Sequence, residues 1–246
     1  RMHYFIITLI LILTGLNQTS YAQSGAQTNA GDPDLKNQYI VKSLKLNDVW
    51  ELATGKNSVI ASCESGIYTF ESDLQENLLL EHARDFSDQD NPTSISDGKY
   101  VRQGTASTAM MVASKNQYGI NGIAWNAKLA PLQYYNYDET DDIPKYDALN
   151  ACLKHASGIP NVSVIYTSSS SGYATIESIT TIRKTIRSII KSGITVVLPA
   201  GNNFIKLNSE FEFPTGSIIV GSLRSSGEKS NYSNYGPAVT ISSFGE

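Results

Sequence analysis

Residues 118–129 read Tyr-Gly-Ile-Asn-Gly-Ile-Ala-Trp-Asn-Ala-Lys-Leu, and this stretch decides the fold. Gly119 and Gly122 permit a tight backbone path, and the chain then enters a strand candidate, 127–133, in which Ala127 and Leu129 supply apolar side chains. Apolar runs of similar length recur at 58–63, 163–166, 195–198 and 217–220. Helical patterns are predicted at 108–115, 145–156 and 174–191. The last places Ile176, Ile179, Ile182, Ile186, Ile189 and Ile190 largely on one face, and Gly193 follows as a stop. A further short capped helix is expected at 46–52, where Asn47 or Asp48 precedes the apolar pattern and Gly55 ends it. Strands alternating with such helices imply right-handed crossovers, so the expected class is α/β, a mostly parallel sheet with flanking helices. Ligands of such sheets meet the loops beyond the carboxyl ends of the strands.

The chain has 246 residues, is 41% hydrophobic and carries a formal net charge of -4. That suffices for one α/β domain with a sizeable core. The basic residues do not cluster, which argues against a nucleic-acid partner. The run 4–13, YFIITLILIL, is followed by polar residues and by Ser20-Tyr21-Ala22, a small-x-small cleavage pattern. It is too short to cross a bilayer as a stable helix, so residues 1–22 are expected to be a signal peptide, which implies a secreted or periplasmic protein. Residues 23–34 read as a flexible polar leader, and 35–246 as the domain.

Cys63 and Cys152 are the two cysteines. Two separately buried thiols are the expectation, because a bridge depends on Cβ geometry that sequence does not show. Neither has a His or Cys at metal-ligand spacing. His82 and His155 read as surface or capping residues near helix ends. Asn161-Val162-Ser163 and Asn231-Tyr232-Ser233 fit a glycosylation pattern that matters only in a suitable host.

Several segments together carry a family resemblance. Cys63-Glu64-Ser65-Gly66-Ile67, with Asp73-Leu74 downstream, is similar to the subtilisin-like serine protease segment in which a strand delivers the catalytic Asp. The matching residue here is Glu64, which keeps the charge and adds a methylene. Arg102-Gln103-Gly104-Thr105 resembles the family's His-Gly-Thr, and Gln103 stands where the resemblance places the general base. A neutral amide accepts no proton usefully near neutral pH. Residues 118–129 resemble the turn and strand after the family's His-bearing helix.

The resemblance continues at Val164-Ile165-Tyr166-Thr167-Ser168, which looks like the strand leading to the substrate-binding wall, and implies peptide contacts near Tyr166, Thr167, Ser168 and Ser169 by strand addition. Within 197–203, Asn202 matches the oxyanion-hole donor; a turn-holding role is equally open to it. Residues 217–221, 232–237 and 241–245 resemble the late strand, the Ser-Asn-Tyr-Gly turn and the approach to the last catalytic region. The family's serine lies in a later Gly-Thr-Ser segment, not in Gly104-Thr105-Ala106, and the sequence stops at Glu246.

The resemblance therefore implies an incomplete, degenerate subtilisin-like domain: a secreted noncatalytic pseudoprotease able to hold an extended peptide or protein, or else part of a serine endopeptidase whose nucleophile segment lies beyond Glu246. A decayed, poorly folding product is a third expectation. No cofactor is expected. Calcium is raised by the resemblance, but Asp85, Asp88, Asp90 and Asp97 lack EF-hand spacing and read as a solvated acidic loop, so no metal residues are assigned.

Overall fold

A computed structural model of the chain describes residues 37–87, 101–135, 146–168, 176–207 and 216–245. Residues 1–34, where a signal peptide and leader are expected, lie outside the described residues, as do Asp88, Asp90, Asp97 and Ser169. The described chain opens with two short helices, α1 (Tyr39–Ser43) and α2 (Leu46–Leu52). The strands are β1 (Val59–Glu64), β2 (Arg84–Asp85), β3 (Lys128–Gln133), β4 (Val162–Thr167), β5 (Thr195–Pro199), β6 (Ile218–Leu223) and β7 (Ile241–Phe244). Three longer helices are α3 (Arg102–Val112), α4 (Tyr146–Gly158) and α5 (Ile176–Lys191).

The strands form one sheet in the order β2-β3-β1-β4-β5-β6-β7, and every pairing is parallel. β1 sits inside the sheet between β3 and β4, so the chain builds outward on one side of β1 and then on the other. Open α/β sheets bind ligands at the carboxyl end of such a switch point. Glu64 is the last residue of β1, and that is where it stands.

Period-two alternation divides the core between the two faces of the sheet. Ile60, Leu129, Val164, Tyr166 and Val197 pack with Met111 and Val112 of α3 and with Leu46 of α2. Ala61, Cys63, Ala130, Leu132, Ile165 and Val196 pack with Leu149, Cys152 and Leu153 of α4 and with Ile186 and Ile189 of α5. Both faces are covered, which is why the strands read as near-continuous apolar runs. Ile182 and Ile190 join the second cluster as the helical spacing predicts.

Three elements depart from the sequence expectations. The helix expected at 108–115 begins instead at Arg102, six residues earlier, despite a glycine inside its first turn. Packing overrides propensity there: a Cβ on Gly104 would collide with the carbonyl oxygen of Gly66, and only glycine lets the helix lie so close to the end of β1. α2 has the predicted span, but its N-cap is Lys45 in a left-handed conformation with no side-chain cap, and Asp48 lies inside the first turn. α1, β2 and β7 carry no clear sequence signal; they are short, and Ser242 and Ser243 break the apolar pattern of β7.

Candidate active site at the carboxyl end of the sheet

Alternation along β1 sends Cys63 to the α4 face and Glu64 to the α3 face. Glu64 is fully buried. Its Cβ lies 3.3 Å from where a Cβ on Gly104 would be, so the first turn of α3 rests directly on it. The backbone N–H of Ser65 donates to Glu64 Oε2 at 3.3 Å. Glu64 Oε1, the Tyr166 hydroxyl and Ser168 Oγ are each buried at this end of the sheet. Burial raises the Glu64 carboxyl above its ordinary range, an effect opposed by the nearby polar groups of Ser168, Tyr166, Ser65 and Ser107. No described basic side chain takes part. Tyr166 is raised well above the usual phenol value by burial and then by the Glu64 charge. A buried acid facing only hydroxyls and an amide favours its neutral form.

Gln103, half-buried, precedes Gly104 in that first turn and so stands on the helix segment that meets Glu64. Neither described histidine can take its place. His155 belongs to α4, on the opposite face of the sheet, where its ring packs 5.6 Å from that of Phe86 and burial lowers its pKa. His82 ends a single 3-10 turn, Leu80–His82, before the edge strand β2.

The second feature is the loop after β5. Gly201 adopts φ 101, and Asn202 beyond it is exposed. The loop is organised by Asn234, whose side chain is buried. Asn234 Nδ2 donates to the Ala200 carbonyl at 2.9 Å, and Oδ1 accepts from the backbone N–H groups of Asn203 and Ile205 at 3.0 Å each. Its own N–H donates to the Gly201 carbonyl at 2.9 Å. Asn202 is thereby presented to solvent at the carboxyl end of β5 while its neighbours are pinned. The Ser-Asn-Tyr-Gly turn was legible in the sequence; this bracing role of Asn234 was not, since it joins segments about 30 residues apart.

Comparison with known proteins agrees with this fold. The model of the subtilase family (Peptidase_S8) matches residues 55–246. The chain belongs to the subtilase family. An extracellular protease of Xanthomonas campestris pv. campestris is 26% identical over 233 residues, which is 82% of this chain and 39% of that protein. The chain thus spans well under half the length of that relative. Among solved structures, the nisin leader peptidase of Lactococcus lactis superposes with a TM-score of 0.65 at 16% identity, covering 85% of this chain and 68% of that one. The epidermin leader peptide processing serine protease of Staphylococcus aureus gives 0.69 at 15% identity, covering 85% and 57% respectively. At these identities the likeness to solved structures concerns the fold.

Within this subtilase, the remaining site expectations fall as follows. Tyr166 and Thr167 are each 1% exposed and point into the core, so their side chains form no surface wall. Ser168 is half-buried, with its N–H donating to the Cys63 carbonyl at 3.4 Å. The expectation of two separate thiols is corrected: Cys63 and Cys152 form a disulfide, with Cα atoms 6.3 Å apart. Strand alternation turns Cys63 toward α4, whose helical spacing turns Cys152 back toward β1, and both are fully buried. Asp85 is corrected as well. It is buried rather than solvated, its Oδ1 accepting from both the N–H and the hydroxyl of Ser87 at 2.7 Å. Among the described residues no group of three or more His, Cys, Asp or Glu is placed to hold a metal ion. No described helix is long and apolar enough to cross a membrane.

Proposed function

We propose that this subtilase homologue is exported and does not hydrolyse peptides by a serine-histidine-acid relay, and that it instead holds an extended peptide at the carboxyl ends of β4 and β5. The observation that carries this reading is the combination of Gln103 with Glu64. In a relay the acid stays ionised, orients the imidazole and stabilises the imidazolium formed during attack. Here the helix turn resting on the acid carries an amide, and the acid lies in surroundings that favour its uncharged form. An amide cannot relay the nucleophile's proton, and a positioned base contributes about 10²–10⁴ in rate.

What survives is the means to bind. Asn202 offers an exposed amide N–H at a held position beside the carboxyl end of β4, where it can donate to a peptide carbonyl. The likeness to an extracellular protease supports export.

The test is a hydrolysis assay on the longest form of the chain recovered from its host, with fluorogenic peptides and casein. Turnover at background, unchanged by Asn202→Ala, is expected. Turnover that Asn202→Ala or Gln103→Ala lowers by about a hundredfold, the scale of a lost oxyanion donor or base, would overturn the proposal.

A further inference from the structure

The loop after β5 runs through consecutive exposed residues, 202–206, before the buried Leu207. Two of them are large and apolar: Phe204 is 57% exposed and Ile205 52%. Phe204 also holds φ 56, in the left-handed region that a bulky side chain rarely adopts. Its backbone is fixed from both sides. Asn234 Oδ1 accepts from the N–H groups of Asn203 and Ile205, and the Phe204 N–H donates to the Tyr232 carbonyl at 2.9 Å. A buried amide thus holds a strained backbone that leaves an aromatic ring at the surface instead of in the core. Strain of this kind persists where the surroundings over-determine it, and it clusters at sites that bind.

A fixed cation accompanies the ring. Lys229 Nζ lies 4.4 Å from the Phe204 ring centroid and 5.5 Å from that of Tyr235, and the two ring centroids are 5.7 Å apart. Nζ donates to the carbonyls of Ser230 at 2.8 Å and Ser233 at 3.4 Å. An ammonium carries a third donor, and Lys229 is exposed. Lys206, also exposed, is bridged through its backbone to Tyr235. Neither lysine forms an ion pair with a described residue: Glu228, next to Lys229 in sequence, reaches Arg224 at 3.9 Å instead.

We propose that this surface docks an acidic segment of a protein partner, with a carboxylate at Lys229 and Lys206 and an apolar side chain seated on the rings of Phe204 and Tyr235. Charge decides which partner fits. Two lysines without a described acid attract an acidic segment and repel a basic one. An exposed ion pair alone is worth little, and here the aromatic rings add the apolar burial that anchors an interface. The surface lies beyond Asn202 on the loop and uses no group assigned above to holding a peptide at β4 and β5.

The experiment titrates the isotope-labelled full chain with two acetylated decapeptides, one alternating glutamate with leucine and one alternating lysine with leucine, and follows the amide resonances. The acidic peptide is expected to shift the amides of 203–206 and 229–235, and the basic peptide to leave them in place. Lys206→Glu/Lys229→Glu should weaken binding of the acidic peptide about tenfold or more, as loss of an interface anchor does. Phe204→Gly should weaken it similarly while leaving the unfolding midpoint unchanged or raised, because glycine takes the left-handed conformation without strain. Equal binding of the two peptides, shifts confined to 166–168 and 202, or no shift with either would overturn the proposal. So would a Phe204→Gly variant that unfolds earlier than the parent, which would make the ring a support of the fold. Self-association of the parent that Phe204→Gly abolishes would give the surface to a second copy and overturn it as well.

Discussion

Asn234 and Ala200 are joined by a hydrogen bond across 34 residues of sequence, from a buried side-chain amide to the carbonyl that precedes Gly201. The same amide accepts from two further backbone N–H groups of the loop. Replacing Asn234 with Ala leaves one carbonyl and two N–H groups without this partner, and unpaired buried groups cost about 1–3 kcal/mol each, less than additively. We expect Asn234→Ala to lose about 2–4 kcal/mol in chemical denaturation. Amide exchange at 201–205 should rise before that of β5; uniform exchange across both would show that the side chain does not hold this loop in particular.

Gly104→Ala sets two effects against each other. Alanine favours a helix over glycine by about 1 kcal/mol, but its Cβ would meet the Gly66 carbonyl oxygen. That oxygen belongs to backbone and cannot rotate away, and overpacking of this kind costs about 1–3 kcal/mol. A lowered melting temperature is therefore the expected outcome; an unchanged or raised one would mean that α3 shifts freely off β1.

Glu64 makes stability depend on pH. Its folded carboxyl holds a proton more tightly than the unfolded one, so the folded state keeps the extra proton between the ordinary glutamate range and the raised folded value. Stability should fall as pH rises through that window and level off above it. Glu64→Gln removes the titration, so it should flatten the profile and stabilise the protein at pH 7. The gain is about 1.4 kcal/mol for every tenfold difference in proton affinity between the folded and unfolded carboxyl. A variant that is less stable than the parent at pH 7 would show that the ionised carboxylate is needed.

Gln103→His supplies a partner for that acid. An adjacent imidazolium favours the carboxylate, so the pH dependence argued above for Glu64 should move downward in this variant. Folded-state titration by nuclear magnetic resonance reads this directly, as a lowered Glu64 pKa and a raised pKa for the introduced imidazole. Independent titration of the two groups would show that position 103 does not face Glu64.

The disulfide closes a loop between residues separated by 89 positions. Chain-entropy reasoning assigns such a crosslink about 4.6 kcal/mol. The Cys63→Ala/Cys152→Ala double variant should unfold at clearly lower denaturant with two-state behaviour, and a reducing agent should change the parent but not the variant.

The parallel sheet was legible because β1, β3, β4, β5 and β6 are buried on both faces and so read as apolar runs. Their ends differ from the expected ones by one to three residues, most at β6, which runs on to Leu223. α3 was displaced because Gly104 argues against a helix locally, and only its contact with Gly66, far earlier in the chain, explains it. Glu64, Gln103 and Asn202 stand out in the sequence only through the family resemblance of the segments that hold them. The burial of Tyr166 follows from parity along β4: the residue lies on the same face as Val164, pointing inward. The sequence leaves the pairing of Cys63 with Cys152 open and carries no sign of the Asn234 brace, because each depends on groups converging from distant segments.

The Cys63–Cys152 bond also constrains how the molecule can be made. Both sulfurs are sealed from solvent once β1 and α4 have met, so an oxidant must act while that layer is still open. Chains that compact in a reducing cytosol would enclose two thiols in the space the bond occupies, and later exposure to oxidising conditions would reach them only through reopening. Recombinant material should therefore differ with the compartment in which it first folds, even where the sequence is the same.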